Sequence, residues 1–269
     1  MPFLDVYGRT HQLDAQTIGV IATRLEARAN SMRYMDMLRG YLEAIDLAAA
    51  NDVLALGCGT GVEVRELVRQ PRFKGRVTAV DISPTLIEAG QRVAAQEGLQ
   101  DRIAWRVDDA QDPSLPDAAF DLVIAHTLLS HVPEPDKVIR HAARVVKPGG
   151  TVAVFDGDYG TLTFGADRDM DEKIIAALIA NPRILRRMPR LLKDAELELI
   201  DSRGWALTEI GRADFFLGGL QSFSALLPKT GVATQEQVDT FVANRLRASE
   251  EGTFFGGYNF YAMIARKPR

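Results

Sequence analysis

Cysteine is nearly absent: the 269 residues hold one, Cys58. An intramolecular disulfide is therefore impossible, and a zinc site would have to rest mostly on histidine and carboxylate ligands. A reducing cytoplasm is the expected compartment. No apolar run approaches bilayer-spanning length, which predicts no membrane insertion. The opening stretch MPFLDVYGRTHQLDAQ has an early acid and no sustained apolar region, so it does not read as a secretory signal. Basic excess is also missing. With 32 Lys and Arg against 36 Asp and Glu, the net charge is −4, the wrong sign for a general binder of nucleic acid or of an anionic membrane. No Gly-Lys-Ser/Thr follows the chain's glycine-rich loop, which removes the P-loop pattern.

What remains is an ordinary globular composition, 46% hydrophobic and 25% charged, with length enough for one substantial core. Residues 14–47 read as two amphipathic helices. Ile18, Ile21, Ala22 and Leu25 recur at helical spacing in the first, and Met35, Leu38, Leu42 and Ile45 in the second. From Asp52 onward, short β-rich runs alternate with helical stretches: DVLALG, VEVRELVRQ, GRVTAVDI, SPTLIEAGQRVAAQEG, RIAWRVDDA, FDLVIAHT, DKVIRHAARVV and GTVAVFDG. That alternation predicts an α/β fold, a doubly wound, mostly parallel sheet with helices on both faces. Ligands of such sheets bind beyond the carboxyl ends of the strands. After Gly160 the pattern loosens. Asn181-Pro182 suits an N-cap and first helical position, and Pro189 the start of a short helix. ELELIDSRGWALTEI and YNFYAMIARKP read as late strands, with two helices between them at about 210–252. The expected organisation is an N-terminal helical segment over 1–50, a ligand-binding core over 51–160, and the rest of the same domain over 161–269. The N-terminal helices and the 210–252 insertion together form the expected lid.

The loop after the first strand, GCGTG, places Gly57, Gly59 and Gly61 within five positions. Glycine leaves room for a ligand and tolerates positive φ. The dinucleotide fingerprint wants a third small residue at position 62, which is Val62. Glu63 and Glu66 stand where the next helix begins and would compete with a pyrophosphate for its positive end. The loop therefore suits a ligand without phosphates. Asp81 closes the second strand, where it can accept hydrogen bonds from two ribose hydroxyls or cap the turn before Ser83-Pro84. Asp109 ends the third strand; with Ala110 it can read an adenine edge, or it belongs to a solvated turn with Asp108 and Asp112.

Taken in order, GCGTG, Asp81, Asp109-Ala110, FDLVIAHTLLSHV and RVVKPGGTVAVFD resemble the class I S-adenosylmethionine-dependent methyltransferases. The resemblance is narrower still to the bacterial small-molecule branch of the ubiquinone and menaquinone biosynthesis type, and it covers about residues 50–160. It implies a Rossmann-like sheet with an antiparallel last strand and S-adenosyl-L-methionine as cofactor. Gly57, Cys58, Gly59 and Gly61 would surround the methionine and ribose portion. Asp81 would hold the ribose, Ile82 would pack on the adenine, and Asp109 with Ala110 would read its edge. Ala125 and His126 would lie near the methionine group. Pro148, Gly149 and Gly150 form the turn into the fifth strand, and Cys58 itself is a small buried packer rather than a nucleophile.

For catalysis the candidates are His126, Asp156 and Asp158. His126 stands just past a strand end with an expected pKa near neutrality, as a base or as a packing residue. Asp156 and Asp158 in FDGDYG either orient an acceptor or close a turn. His131 is expected to fix the turn that follows it. Arg28, Arg33 and Tyr34 lie near the predicted pocket mouth, and Arg33 is assigned to the cofactor carboxylate; the alternative is a solvated helix face. Arg183, Arg186, Arg187 and Arg190 would make a basic stripe if Pro189 did not interrupt the helix. Some of the aromatics in DFFLGGLQSF and TFFGGYNFY are expected to line an apolar acceptor pocket.

The expected reaction is methyl transfer to oxygen, nitrogen or carbon of a small, partly apolar or aromatic acceptor. The alternatives are a non-methylating, for example pericyclic, reaction on the same scaffold, and nucleic-acid or protein methylation. The missing Asn/Asp-Pro-Pro-aromatic pattern disfavours base-amino DNA methylation, and the lone cysteine disfavours arsenite. Oligomeric state is left open, a homodimer included.

Overall fold

A computed structural model describes residues 5–166 and 168–269; the first four residues of the expected N-terminal segment lie outside it. Two helices come first, α1 (Ala15–Ala29) and α2 (Met32–Leu42). Asp14 caps α1 by accepting from Thr17 N, and Ser31 caps α2 from Tyr34 N, so each starts where a side-chain oxygen satisfies an orphan amide. The alternating region follows as β1 (Asp52–Leu56), α3 (Val62–Arg69), β2 (Arg76–Asp81), α4 (Pro84–Gln96), β3 (Ile103–Val107), β4 (Phe120–His126) and α5 (Pro135–Val145). Then come β5 (Val146–Thr163), α6 (Arg168–Leu178), α7 (Met188–Asp194), β6 (Glu198–Gly211), α8 (Phe215–Thr230), α9 (Gln235–Glu250) and β7 (Phe254–Arg266).

The seven strands form one sheet in the order β3-β2-β1-β4-β5-β7-β6. β7 runs antiparallel to both its neighbours, and the β1–β5 pairings are parallel. Val53, Leu54, Ala55 and Leu56 of β1 are all buried, as expected of a central strand covered on both faces. The chain goes from β1 outward to β3 and then returns to β4 on the other side. This puts a topological switch point between β1 and β4, and the crevice there opens at their carboxyl ends.

One local reading changes, at Asn181. Asn181 caps no helix; its side-chain amide donates instead to Leu129 O and Val132 O, tying down the loop after β4, and only a short 3-10 turn, Ile184–Arg186, follows. The arginines of that region form no stripe on one helix. Arg186 pairs with Asp158 and Arg190 with Asp194. Helix α6 was not visible in the loosened pattern after Gly160. It buries Met170, Ile174, Ala177 and Leu178 against the sheet extension that β5 and β7 make beyond the shared core.

Helix α8 lies across α1. Arg24 of α1 reaches Phe215 O at 3.5 Å and sits 4.7 Å over the Phe215 ring, and Lys229 donates to Thr17 Oγ1. The helices at about 210–252 and the N-terminal pair thus meet on the same side of the sheet. Among the described residues, no helix is long and apolar enough to cross a membrane.

Candidate functional site

The β1–α3 loop is built on left-handed backbone. Gly57, Gly59 and Gly61 have φ of +64°, +54° and +77°, which side chains with a Cβ rarely tolerate. A Cβ on Gly57 would meet Leu128 Cδ1 at 2.4 Å, and one on Gly61 would meet Trp105 Cη2 at 2.4 Å. These glycines are therefore required by backbone conformation and by the side chains of β3 and the β4 loop that close over them. Cys58 donates its amide to Val80 O. Its thiol is buried, and burial pushes its pKa well above the ordinary value, as fits a packing residue.

Around this loop lies a cavity. It is lined by Gly57, Cys58, Gly59, Asp81, Ile82, Asp109, Ala110 and His126 among others. Most of the predicted cofactor residues thus converge from four different strand ends. Gly61 starts α3 behind them, and Ala125 is buried inside β4. Asp81 receives Gly59 N at 2.8 Å and Ser83 N at 2.9 Å. Two backbone bonds leave it further acceptor capacity toward the cavity, and burial raises its pKa. Asp109 accepts from Gln111 N at 2.8 Å.

Two charged residues give the cavity a polarity that bears on its occupant. Glu63, on the first turn of α3, is buried and lines the cavity. Burial is the largest cause of a carboxyl pKa raised to about 8, against partial relief from its own backbone and Arg65. Arg28 lines the same cavity, donates to Thr127 Oγ1 at 2.9 Å, and leaves its buried Nε without a partner. Among the described residues neither group forms an ion pair. A carboxyl lacking a cation and a guanidinium lacking an anion, in one cavity, are complementary to the ammonium and carboxylate of an amino-acid group. The residues present therefore fit S-adenosylmethionine.

Several sequence-based assignments are corrected. Arg33 does not reach the cavity; it is exposed and donates to Thr208 O, because its position on α2 faces β6. Arg28, and not Arg33, lines the cavity. His126 lines the cavity but is no near-neutral base. Its Nε2 is 2.7 Å from Tyr34 Oη and its Nδ1 3.0 Å from Tyr41 Oη, and the ring stacks on Phe155. Burial, aided by the charge of Arg28, lowers its pKa to about 3. It is a neutral hub that fixes two tyrosines. Asp156 is fully buried and receives Ser130 N, Ser130 Oγ and Gly157 N. Asp158 pairs with Arg186. Neither lines the cavity, so both carboxylates serve the loop after β4 and the β5 extension.

The histidine expected to fix a turn, His131, also lines the cavity, and its Nδ1 lies 2.9 Å from Asp5 Oδ2. Asp5 also accepts from Tyr7 N, Gly8 N and Ala180 N, so its carboxylate is held on both oxygens. Burial alone would depress the His131 pKa, but the Asp5 charge and hydrogen bond outweigh it and raise the value. The pairing joins positions 126 residues apart, which no local pattern announces; a lone acid in the apolar run Val6-Tyr7 and its predecessors was the available signal.

Residues 53–150 match the family described as "Methyltransferase domain". The chain is similar to Methyltransferase GfsG of Streptomyces halstedii, 29% identical over 229 residues covering 84% of this chain and 77% of that protein. It is also similar to the ubiquinone biosynthesis O-methyltransferase of Xanthomonas oryzae pv. oryzae, 32% identical over 149 residues, 53% of this chain and 60% of that one. Among solved structures, geranyl diphosphate C-methyltransferase from Streptomyces coelicolor, in complex with S-adenosyl-L-homocysteine, shares the fold. The TM-score is 0.56 at 17% identity, covering 87% of this chain and 76% of that one.

Proposed function

The chain belongs to the class I S-adenosylmethionine-dependent methyltransferases, and from that premise we propose that it methylates a small-molecule acceptor whose proton is taken by His131, oriented by Asp5. The observation that carries this reading is the dyad's position. His131 lines the cofactor cavity and also a second cavity behind it, so it stands where the two compartments meet.

Bound S-adenosylmethionine supplies a methyl group already activated on a sulfonium sulfur. The protein's own work is then alignment, exclusion of water and proton removal. Helix α1 closes the cavity with Ile21, Leu25 and Arg28. Nδ1–H of His131 donates to Asp5, an assignment made from the bonding pattern, which leaves Nε2 as the proton-accepting atom. An acceptor hydroxyl, amine or acidic C–H would lose its proton to Nε2 as its nucleophilic atom is methylated. Tyr34, fixed by His126, holds its part of the cavity wall in one arrangement.

The test is a labelled-methyl screen of the purified chain against metabolite extracts and a panel of hydroxylated and aminated aromatic and polyketide-like compounds. Label transfer to a small molecule supports the reading. Label found only in protein or nucleic acid, or cofactor-dependent product without label, overturns it.

A further inference from the structure

We propose that the acceptor carries an anionic group and that Arg24 receives it in the cavity behind the cofactor site; this rests on the methyl-transfer reading above. The second cavity shares Tyr7, Arg28 and His131 with the first. Its far walls are apolar, formed by Phe164, Ile174, Leu178, Phe216 and Phe223. Arg24 projects into it from α1. A largely apolar chamber with Arg24 on one wall, and Arg28 and His131 at its junction with the cofactor cavity, selects a molecule with an apolar body and a charged end.

Arg24 lacks a counterion of its own. Among the described residues no carboxylate lies within 4 Å of it; its contacts are Phe215 O at 3.5 Å and the face of the Phe215 ring at 4.7 Å. Burial and the like charge of Arg28 both press its pKa down. The two acids that precede it in the described chain are engaged elsewhere. Asp5 is held by three backbone amides and His131, and Asp14 pairs with Lys229. A half-buried guanidinium without an anion is left partly desolvated and uncompensated, and a planar oxyanion matches its donor fork.

A second, independent feature lies opposite. Gly218 and Gly219 stand in the interior of α8, where glycine is the poorest helix former but proline. A Cβ on Gly218 would come to 3.5 Å from Arg24 Nη1, and one on Gly219 to 3.5 Å from Arg24 Nη2. The pair keeps open the space on the α8 side of the guanidinium, and Gly219 lines the cavity.

The experiment is calorimetric titration of the full-length chain, free of cofactor, with 2-naphthoate, 2-naphthamide and 4-nitrophenol, the last above and below its ionisation. S-adenosylhomocysteine is titrated separately. Naphthoate, or nitrophenolate if the oxyanion is phenolic, should bind about tenfold or more tighter than its uncharged counterpart. Arg24→Met should abolish that preference and Arg24→Lys keep part of it. Gly219→Ala should weaken the anion while raising the melting temperature, which separates loss of binding from loss of fold. All three variants should keep wild-type affinity for S-adenosylhomocysteine. Equal binding of anion and neutral probe, persistence of the preference in Arg24→Met, or no binding of either anion at millimolar concentration overturns the proposal. Failure of S-adenosylhomocysteine to bind wild type overturns the cofactor reading instead, and leaves the arginine comparison legible.

Discussion

Replacing Glu63 by glutamine should have opposite effects on the empty and the loaded protein. In the empty protein the buried carboxyl titrates near 8 instead of 4.5, which disfavours its charged form by up to about 5 kcal/mol. The cavity admits water and the surroundings relax, so about 2–4 kcal/mol is expected to be realised. The sign follows from proton binding. Between pH 4.5 and about 8 the folded state holds a proton that the unfolded state has lost, so stability falls as pH rises through that window. The amide of the variant has nothing to titrate. The stability of Glu63→Gln relative to wild type should therefore be unchanged near pH 4 and rise by about 2–4 kcal/mol between pH 5 and pH 9. Asp156 is also raised by burial and slopes both proteins alike, whereas Asp81 interacts with Glu63, so the difference between the two reads Glu63 together with that interaction. Urea denaturation of both proteins across that range, without ligand, reads it directly. With S-adenosylhomocysteine added the advantage should invert. The ligand's ammonium restores the charge on Glu63, and losing a charge-assisted hydrogen bond of about 1.5–3 kcal/mol should weaken binding by about tenfold or more in Glu63→Gln. A constant stability difference across pH, together with equal ligand affinity, would refute the assignment of Glu63 as an uncompensated carboxyl awaiting a cation.

For the dyad, His131→Ala should lower turnover by about 10²–10⁴-fold with S-adenosylhomocysteine affinity retained. Because Asp5 raises the His131 pKa, the wild-type rate should climb with pH through an inflection above 6.5, and Asp5→Asn should move that inflection down; a profile unmoved by the substitution counts against a proton-accepting His131. His126→Ala should cost about 2–4 kcal/mol in chemical denaturation, since it strands the Tyr34 and Tyr41 hydroxyls in a buried site. It should leave the inflection in the pH–rate profile where it was. Gly57→Ala sets a Cβ against Leu128 at positive φ, which should destabilise by about 1–3 kcal/mol and weaken cofactor binding; a wild-type melting curve and affinity would show the loop to be less constrained than its geometry.

The cofactor half of the site was legible because it is written in short segments. A βα unit brings the residue after each strand to the same edge of the sheet, so GCGTG, Asp81-Ile82 and Asp109-Ala110 could be placed beside one another from strand order alone. The acceptor half was not. Arg33 and Arg28 stand five positions apart in the N-terminal helices, and which one faces the cavity depends on how α1 and α2 pack on α8 and β6. His126 and His131 were ranked by distance from a strand end. Their chemistry was set by partners on other elements: Tyr34 and Tyr41 from α2 around one, Asp5 around the other.

The amino-acid sequence by itself determined the alternation of strands and helices, the parallel sheet and the adenosyl-type ligand. These follow from local periodicity, from glycines that alone accept positive φ, and from acids that end strands. Only the tertiary structure decided which titratable groups are charged. Burial removes basicity from His126 and raises Glu63, and a carboxylate from the far end of the chain restores basicity to His131. Desolvation and Coulomb interaction depend on what surrounds a group in space, and those surroundings exist only once the chain has folded.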